Sequence, residues 1–250
     1  MGERLGITMK LDYTYSDLSK MLDHALLNPT LDWKALVKGI ALAKAYDTAS
    51  VCIMPYALAR CAELLEGSTV KPSTTIGFPH GANTTSIKVL ETEQALRDGC
   101  QEIDMVVNIS QVLSGNWSYV RDDIKAVTEA THTAGQKVKV IFENCYLSDA
   151  QKIRLCEISS ELNCDWVKTS TGYGTSGATI EDLKLMRSHT PSSVQVKAAG
   201  GVRELDMLLQ VRALGVSRCG AGATKVMMDE ARKRLGLDPI EVEDVAVAGY

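Results

Sequence analysis

The segment from Lys137 to Thr169 decides the fold. It reads KVKVIF (137–142), then SDAQKIRLCEISSEL (148–162), then DWVKT (165–169). The first and third runs are short and rich in β-branched residues, which is strand chemistry. The middle run is long, free of Gly and Pro, and opens on Ser148 in the position of an N-cap. A strand, a helix and a second strand in this order form a crossover unit with parallel strands.

The same alternation continues in both directions. Eight strands are expected, at Met21–Leu26, Ala49–Ile53, Thr74–Phe78, Glu102–Val107, Lys137–Phe142, Asp165–Thr169, Val194–Ala198 and Ser217–Gly220. Helices are expected at Asp32–Tyr46, Ser86–Asp98, Tyr119–Ala134, Ser148–Leu162, Ile180–Ser188, Glu204–Leu214 and Thr224–Leu235, while the stretch after Pro55 gives no clear pattern. In the first helix Trp33, Leu36, Val37, Ile40 and Ala41 are read as the buried face; Gly99 and Gly135 stand where helices stop. Repeated strand–helix units in 250 residues point to an α/β fold, a (β/α)8 TIM barrel forming one domain over 1–250, with the barrel at about 20–235 and a tail at 236–250. An open doubly wound sheet competes. It usually has fewer strands, and no Gly-x-Gly-x-x-Gly follows the first strand.

Composition narrows the function. Apolar residues make up 45% and the formal net charge is -4 with both signs interspersed, so neither nucleic acid nor an anionic membrane is an expected partner. The opening MGERLGITMK has no apolar core of signal-peptide length, and no run approaches the roughly 18 apolar residues of a membrane span. The cysteines at 52, 61, 100, 145, 156, 164 and 219 are scattered and contain no C-x-x-C, which argues against disulfides and a cysteine zinc site. A cytoplasmic protein with no metal and no cofactor is expected.

Barrel enzymes place their chemistry at the C-terminal ends of strands. Lys168 in DWVKTSTG (165–172) and Lys197 in VKAAGGVR (196–203) fall at equivalent places on consecutive strands, and Asp104 interrupts the apolar run EIDMVV (102–107). Two lysines and a carboxylate converging there suit Schiff-base chemistry. A free lysine, with a pKa of about 10.4, is nearly all protonated at pH 7, and desolvation plus a second ammonium lower that value. The competing reading makes Lys168 and Lys197 structural ions paired with Asp104, and Asp104 an acceptor for backbone amides. Gly200-Gly201 and Gly220-Ala221-Gly222-Ala223 follow the last two strands, where amide groups and a helix N-terminus can hold an anion. His24, His80, His132 and His189 show no metal-ligand spacing; His24 reads as hydrogen-bonded core and His80 as a loop residue. Cys52 reads as packing, and Glu143, Asn144 and Cys145 carry no assignable role.

Taken together these segments resemble the deoxyribose-phosphate aldolases. KTSTG (168–172) with YGTSGAT (173–179) is similar to their Schiff-base segment, VKAAGGVR (196–203) to their second-lysine segment and EIDMV (102–106) to their aspartate strand. IGFPHG (76–81) with Lys88, LDHALL (22–27) and SVCI (50–53) are similar to their other strand motifs. The resemblance covers about 20–235. It implies a metal-free class I aldolase that reversibly cleaves 2-deoxyribose 5-phosphate to acetaldehyde and glyceraldehyde 3-phosphate. It implies Lys168 as nucleophile, Lys197 and Asp104 in proton transfer, Thr171 on a sugar hydroxyl or water, and Asp23 supporting the lysines. Gly172, Gly200, Gly201, Gly220 and Gly222 would line the substrate. Tyr250 would reach the site from a flexible tail, and a homo-oligomer, a dimer, is implied. One departure is the last glycine loop, which carries no serine and leaves backbone amides and the Thr224 hydroxyl to bind phosphate. A sibling aldolase for another or unphosphorylated acceptor, and a non-catalytic sugar-phosphate-binding barrel, are the alternatives.

Overall fold

Residues 12–242 are described by a computed structural model of the chain. Its eight parallel strands are β1 (Leu22–Leu26), β2 (Ser50–Ile53), β3 (Lys71–Ile76), β4 (Glu102–Val106), β5 (Lys137–Ile141), β6 (Trp166–Lys168), β7 (Gln195–Ala199) and β8 (Arg218–Ala221). They pair in chain order and close into a barrel, with Asp23 of β1 opposite Gly220 of β8. The helices are α1 (Tyr15–Ser19), α2 (Trp33–Ala45), α3 (Leu58–Leu65), α4 (Thr85–Arg97), α5 (Ile109–Leu113), α6 (Trp117–Thr133), α7 (Asp149–Glu161), α8 (Ile180–Ser188), α9 (Leu205–Ala213) and α10 (Thr224–Arg234). The (β/α)8 barrel read from the sequence is therefore the observed fold. No helix of the described residues is long and apolar enough to cross a membrane.

Period-two alternation divides each strand between two environments. Leu22 and Leu26, Val51 and Ile53, Ile103 and Met105, Val138 and Val140, Val167, Val196 and Ala198 belong to the hydrophobic cluster beneath the helices. The alternate residues Asp23, Glu102, Asp104, Lys139, Lys168, Lys197 and Arg218 meet one another in the barrel interior. The barrel thus buries apolar surface outside the sheet and a set of mutually paired ions within it.

Local signals set most boundaries. Ser148 caps α7 with a full capping box, its side chain accepting from the Gln151 amide. α6 starts two residues before its expected start because Asn116, not the expected region, supplies the cap, accepting from the Tyr119 amide. β3 is the strand displaced most. It begins at Lys71 and runs through Pro72, a residue that disfavours strand assignment yet is tolerated near a strand start. The stretch after Pro55 forms a 3-10 turn at Pro55–Ala57 that leads into α3.

The buried face of α2 differs from the expected one. Leu36, Gly39, Ile40, Leu42 and Ala43 are buried, whereas Trp33 and Ala41 are exposed. Gly39 decides the rotation. A Cβ there would lie 2.4 Å from Leu26 Cδ2, so the helix seats its one glycine against β1.

Candidate active site

Asp104, near the middle of β4, is the centre of the interior cluster. Its Oδ1 accepts from Lys139 Nζ at 2.8 Å, and its Oδ2 accepts from Lys168 Nζ and Lys197 Nζ, each at 2.7 Å. Strand register produces this convergence: Lys168 is level with Lys197, and Asp104 with Lys139. Lys197 Nζ also stands 2.6 Å from Asp23, and Lys139 Nζ stands 2.8 Å from Glu102 and 3.6 Å from Asp23. Arg218 donates to both Glu102 oxygens at 2.8–2.9 Å and to Asp23 at 2.7 Å. Its guanidinium lies 4.9 Å from the Trp166 ring centroid. All of these charged groups are buried except the guanidinium of Arg218, which is slightly exposed. Removal from water costs each ion several kcal/mol, so such charges persist only when paired.

The pairing is unequal. Lys139 faces three carboxylates, Lys197 and Arg218 face two each, and Lys168 faces only Asp104. Four cations against three carboxylates leave one positive charge over. Loss of the Lys168 proton is the change that brings the cluster to neutrality at least cost in pairing.

The acid–base balance follows the same asymmetry. Burial pulls the Lys168 ammonium below the ordinary lysine value and Lys197 pulls with it, against the opposing field of Asp104. Burial acts on Lys197 in the same direction, yet Asp104 and Asp23 overcome it and raise Lys197 above that value. Lys139 is raised well above it, because three carboxylates outweigh its burial. Asp104, though buried, is held well below the carboxylate range by the three ammoniums. One lysine is thus biased toward the neutral amine and its neighbour toward the ammonium.

Lys168, Lys197, Asp23 and Thr171 line a narrow pocket with Cys52, Ala199, Gly200 and Gly220. Thr171 is 3 % exposed, and its hydroxyl donates to Glu143 and accepts from the Tyr173 amide at 2.9 Å. Gly172 follows it in a left-handed conformation, φ 91°. Gly200 and Gly201 are also left-handed, at φ 76° and 90°, and the chain at Gly177 crosses Gly200 so closely that a Cβ on Gly200 would lie 2.9 Å from Gly177 Cα. Gly220 and Gly222 lead into α10, whose first turn has no side-chain cap. The Thr224 hydroxyl does not serve the glycine loop. It is buried 2.9 Å from His24 Nδ1, and His24, lowered by burial to about 4, is a neutral core residue. His80 is exposed. Tyr250 lies outside the described residues.

The sequence of the chain matches a known family. The model for "DeoC/LacD family aldolase" matches residues 10–224. The chain belongs to the DeoC/LacD aldolase family. A deoxyribose-phosphate aldolase of Rhodopirellula baltica is 65% identical over 239 residues, covering 96% of this chain and 99% of the relative. One from Caldanaerobacter subterraneus subsp. tengcongensis is 43% identical, covering 90% and 98%. Among solved structures, the tetrameric deoxyribose phosphate aldolase of Aeropyrum pernix superposes with a TM-score of 0.81 at 26% identity, covering 89% of this chain and 93% of that one.

In this DeoC/LacD aldolase the structure brings Lys168, Lys197, Asp104, Asp23 and Thr171 together and adds residues the sequence reading passed over. Lys139, Glu102 and Arg218 complete the charge cluster. The signal for them was weak: Glu102 lies two before Asp104 and Arg218 two before Gly220, but both stand at strand starts, and Lys139 in the run VKVI has no recognised neighbour on its strand. Glu143 carries no such signal. It follows β5 in a left-handed conformation, φ 59° and ψ 63°, which costs a non-glycine residue on the order of 1 kcal/mol or more. Lys88 is structural. Buried, it donates to Val106 O at 2.8 Å and to Asp123 at 2.5 Å, clamping the mouth end of β4.

Proposed function

We propose that this aldolase reversibly cleaves 2-deoxy-D-ribose 5-phosphate to acetaldehyde and D-glyceraldehyde 3-phosphate through a Schiff base on Lys168. The observation that carries this reading is the pairing asymmetry: Lys168 alone of the cluster's cations has a single carboxylate partner and lies in the pocket wall. As a neutral amine it adds to the aldehyde carbon of the open-chain sugar, and loss of water gives the iminium. Lys197, kept as an ammonium by Asp23 and Asp104, and the Asp104 carboxylate form the polar path for proton transfer. Removal of the C3 hydroxyl proton breaks the C2–C3 bond, with the electron pair moving into the iminium. D-Glyceraldehyde 3-phosphate leaves, the enamine takes a proton at C2, and water releases acetaldehyde and the amine. The phosphate is held by the amides of the Gly200-Gly201 and Gly220–Gly222 loops and the uncapped first turn of α10.

Borohydride reduction in the presence of acetaldehyde tests the reading directly. An ethyl adduct located on Lys168 by peptide mass is the expected product. A folded, unlabelled protein would remove the covalent mechanism. Comparing phosphorylated with unphosphorylated deoxyribose then measures how far the glycine loops select the phosphate.

The role of Lys197 has its own signature. In a Lys197→Met variant the charge that helps depress Lys168 is gone, while Asp104 remains. The acid limb of the kcat/KM profile should therefore move to higher pH, because Lys168 must lose its proton before it can react. An acid limb at the wild-type position would mean that Lys197 does not act on Lys168 through charge.

We also propose a homo-oligomer, with the tetrameric Aeropyrum relative as the precedent. Sedimentation analysis giving the mass of a single chain would exclude it.

A further inference from the structure

Glu143 takes no part in the steps above, yet it is buried and bound to one residue only in the site. Its Oε1 accepts from the Thr171 amide at 3.1 Å, and its Oε2 accepts from the Thr171 hydroxyl. That hydroxyl has one proton and two lone pairs. The proton is committed to Glu143 and one lone pair to the Tyr173 amide at 2.9 Å. A single lone pair remains on a residue that shares the pocket wall with Lys168 and Lys197.

A carboxylate can only accept, so it holds the threonine proton away from the pocket in a way an amide or hydroxyl partner would not. The surroundings protect the arrangement. Glu143 is 2 % exposed, and the chain at Gly174 closes over it, where a Cβ would lie 3.0 Å from Glu143 Cδ and 2.6 Å from Cys145 Sγ.

We propose that Glu143 is a positioning residue that fixes the Thr171 hydroxyl as a hydrogen-bond acceptor, so that the pocket selects acceptor aldehydes carrying a hydroxyl able to donate to it. The selected class is the 2-hydroxyaldehydes. An acceptor without that group leaves the Thr171 lone pair buried and unanswered, and discrimination of this kind exceeds what shape alone provides. The inference rests on the aldolase reading and deepens it.

The test compares addition of acetaldehyde to D-glyceraldehyde 3-phosphate and to 3-phosphooxypropanal, which lacks only the 2-hydroxyl. Glu143→Gln keeps the size of the side chain but offers an N–H where Oε2 stood, turning the threonine proton toward the pocket. The kcat/KM ratio for the two acceptors should fall by about tenfold or more, through loss on the hydroxylated one. Acetaldehyde, having no hydroxyl, should still be trapped on Lys168. An unchanged ratio with trapping retained overturns the role of Glu143 and leaves the Schiff base standing. Absence of trapping in the wild-type protein removes the aldolase reading itself, and the inference with it. If Glu143→Gln does not fold, Thr171→Val, which deletes the hydroxyl and keeps the amide contact, carries the comparison; the same fall is expected, and an unchanged ratio overturns the proposal.

Discussion

A Lys168→Ala variant should lose cleavage of 2-deoxyribose 5-phosphate by ~10⁴-fold or more in kcat/KM, the scale on which loss of a covalent nucleophile falls. Without the amine there is no iminium to receive the electron pair from the breaking C2–C3 bond, and Lys197, held as an ammonium by two carboxylates, is a poor substitute. Folding should survive. Removing Lys168 leaves Lys139, Lys197 and Arg218 against Asp23, Glu102 and Asp104, three charges of each sign, and Asp104 keeps two ammonium partners. Initial rates of aldehyde release alongside a thermal melt separate these effects. A folded variant within tenfold of wild-type activity would refute the assignment of the nucleophile.

Asp104→Asn should produce the largest loss of stability of any single change in the site. The carboxylate is the shared acceptor of three buried ammoniums, and breaking a buried ion pair from one side costs about 3–5 kcal/mol. At roughly 2–4 °C per kcal/mol for a chain of this length, the melting temperature should drop by on the order of 10 °C. The pH dependence identifies the cause. Asp104 is depressed in the folded state, so its contribution is present above the ordinary carboxylate value of 3.8 and disappears as pH falls toward the folded one. Lys139 and Lys197 are raised, so in the wild-type protein their contribution is present below 10.5 and is lost as pH climbs through their folded values. In Asp104→Asn Lys168 has no carboxylate partner and Lys139 and Lys197 have one fewer each, so these lysines lose their protons more readily, and the deficit relative to wild type should shrink in alkaline solution. A melting temperature within 2 °C of wild type at pH 7, an interval we take as roughly one kcal/mol or less, would show that Asp104 is not the keystone of the cluster.

The contrast between residues that were readable and those that were not follows from geometry. Lys168 and Lys197 stand out because a lysine within an apolar strand is expensive, and Asp104 for the same reason. Lys139 has equal burial but sits two residues after Lys137, which is exposed, so the pair reads as a solvated edge until the barrel closes over one of them. Glu102 and Arg218 occupy strand starts, where charge is unremarkable in sequence. The Thr224 hydroxyl was expected at the phosphate loop, but it is claimed by His24, some 200 positions away in the chain. The expected buried face of α2 failed because hydropathy gives no weight to glycine, whereas close packing against Leu26 does.

What the linear chain settles unaided is local and periodic. Strand–helix alternation points to a parallel barrel, and lysines stranded among β-branched residues mark where charge is drawn into it. The rest is a matter of registration between distant strands. Only closure of the barrel sets Lys168 level with Lys197, brings Asp104 within 2.8 Å of three ammoniums, and gives Lys168 one carboxylate where its neighbours have two or three. The proton affinity of an amine depends on the charges within a few ångströms and on exclusion of water. Both are set by tertiary contacts, so the sequence names the lysines and the fold decides which of them is least tightly paired.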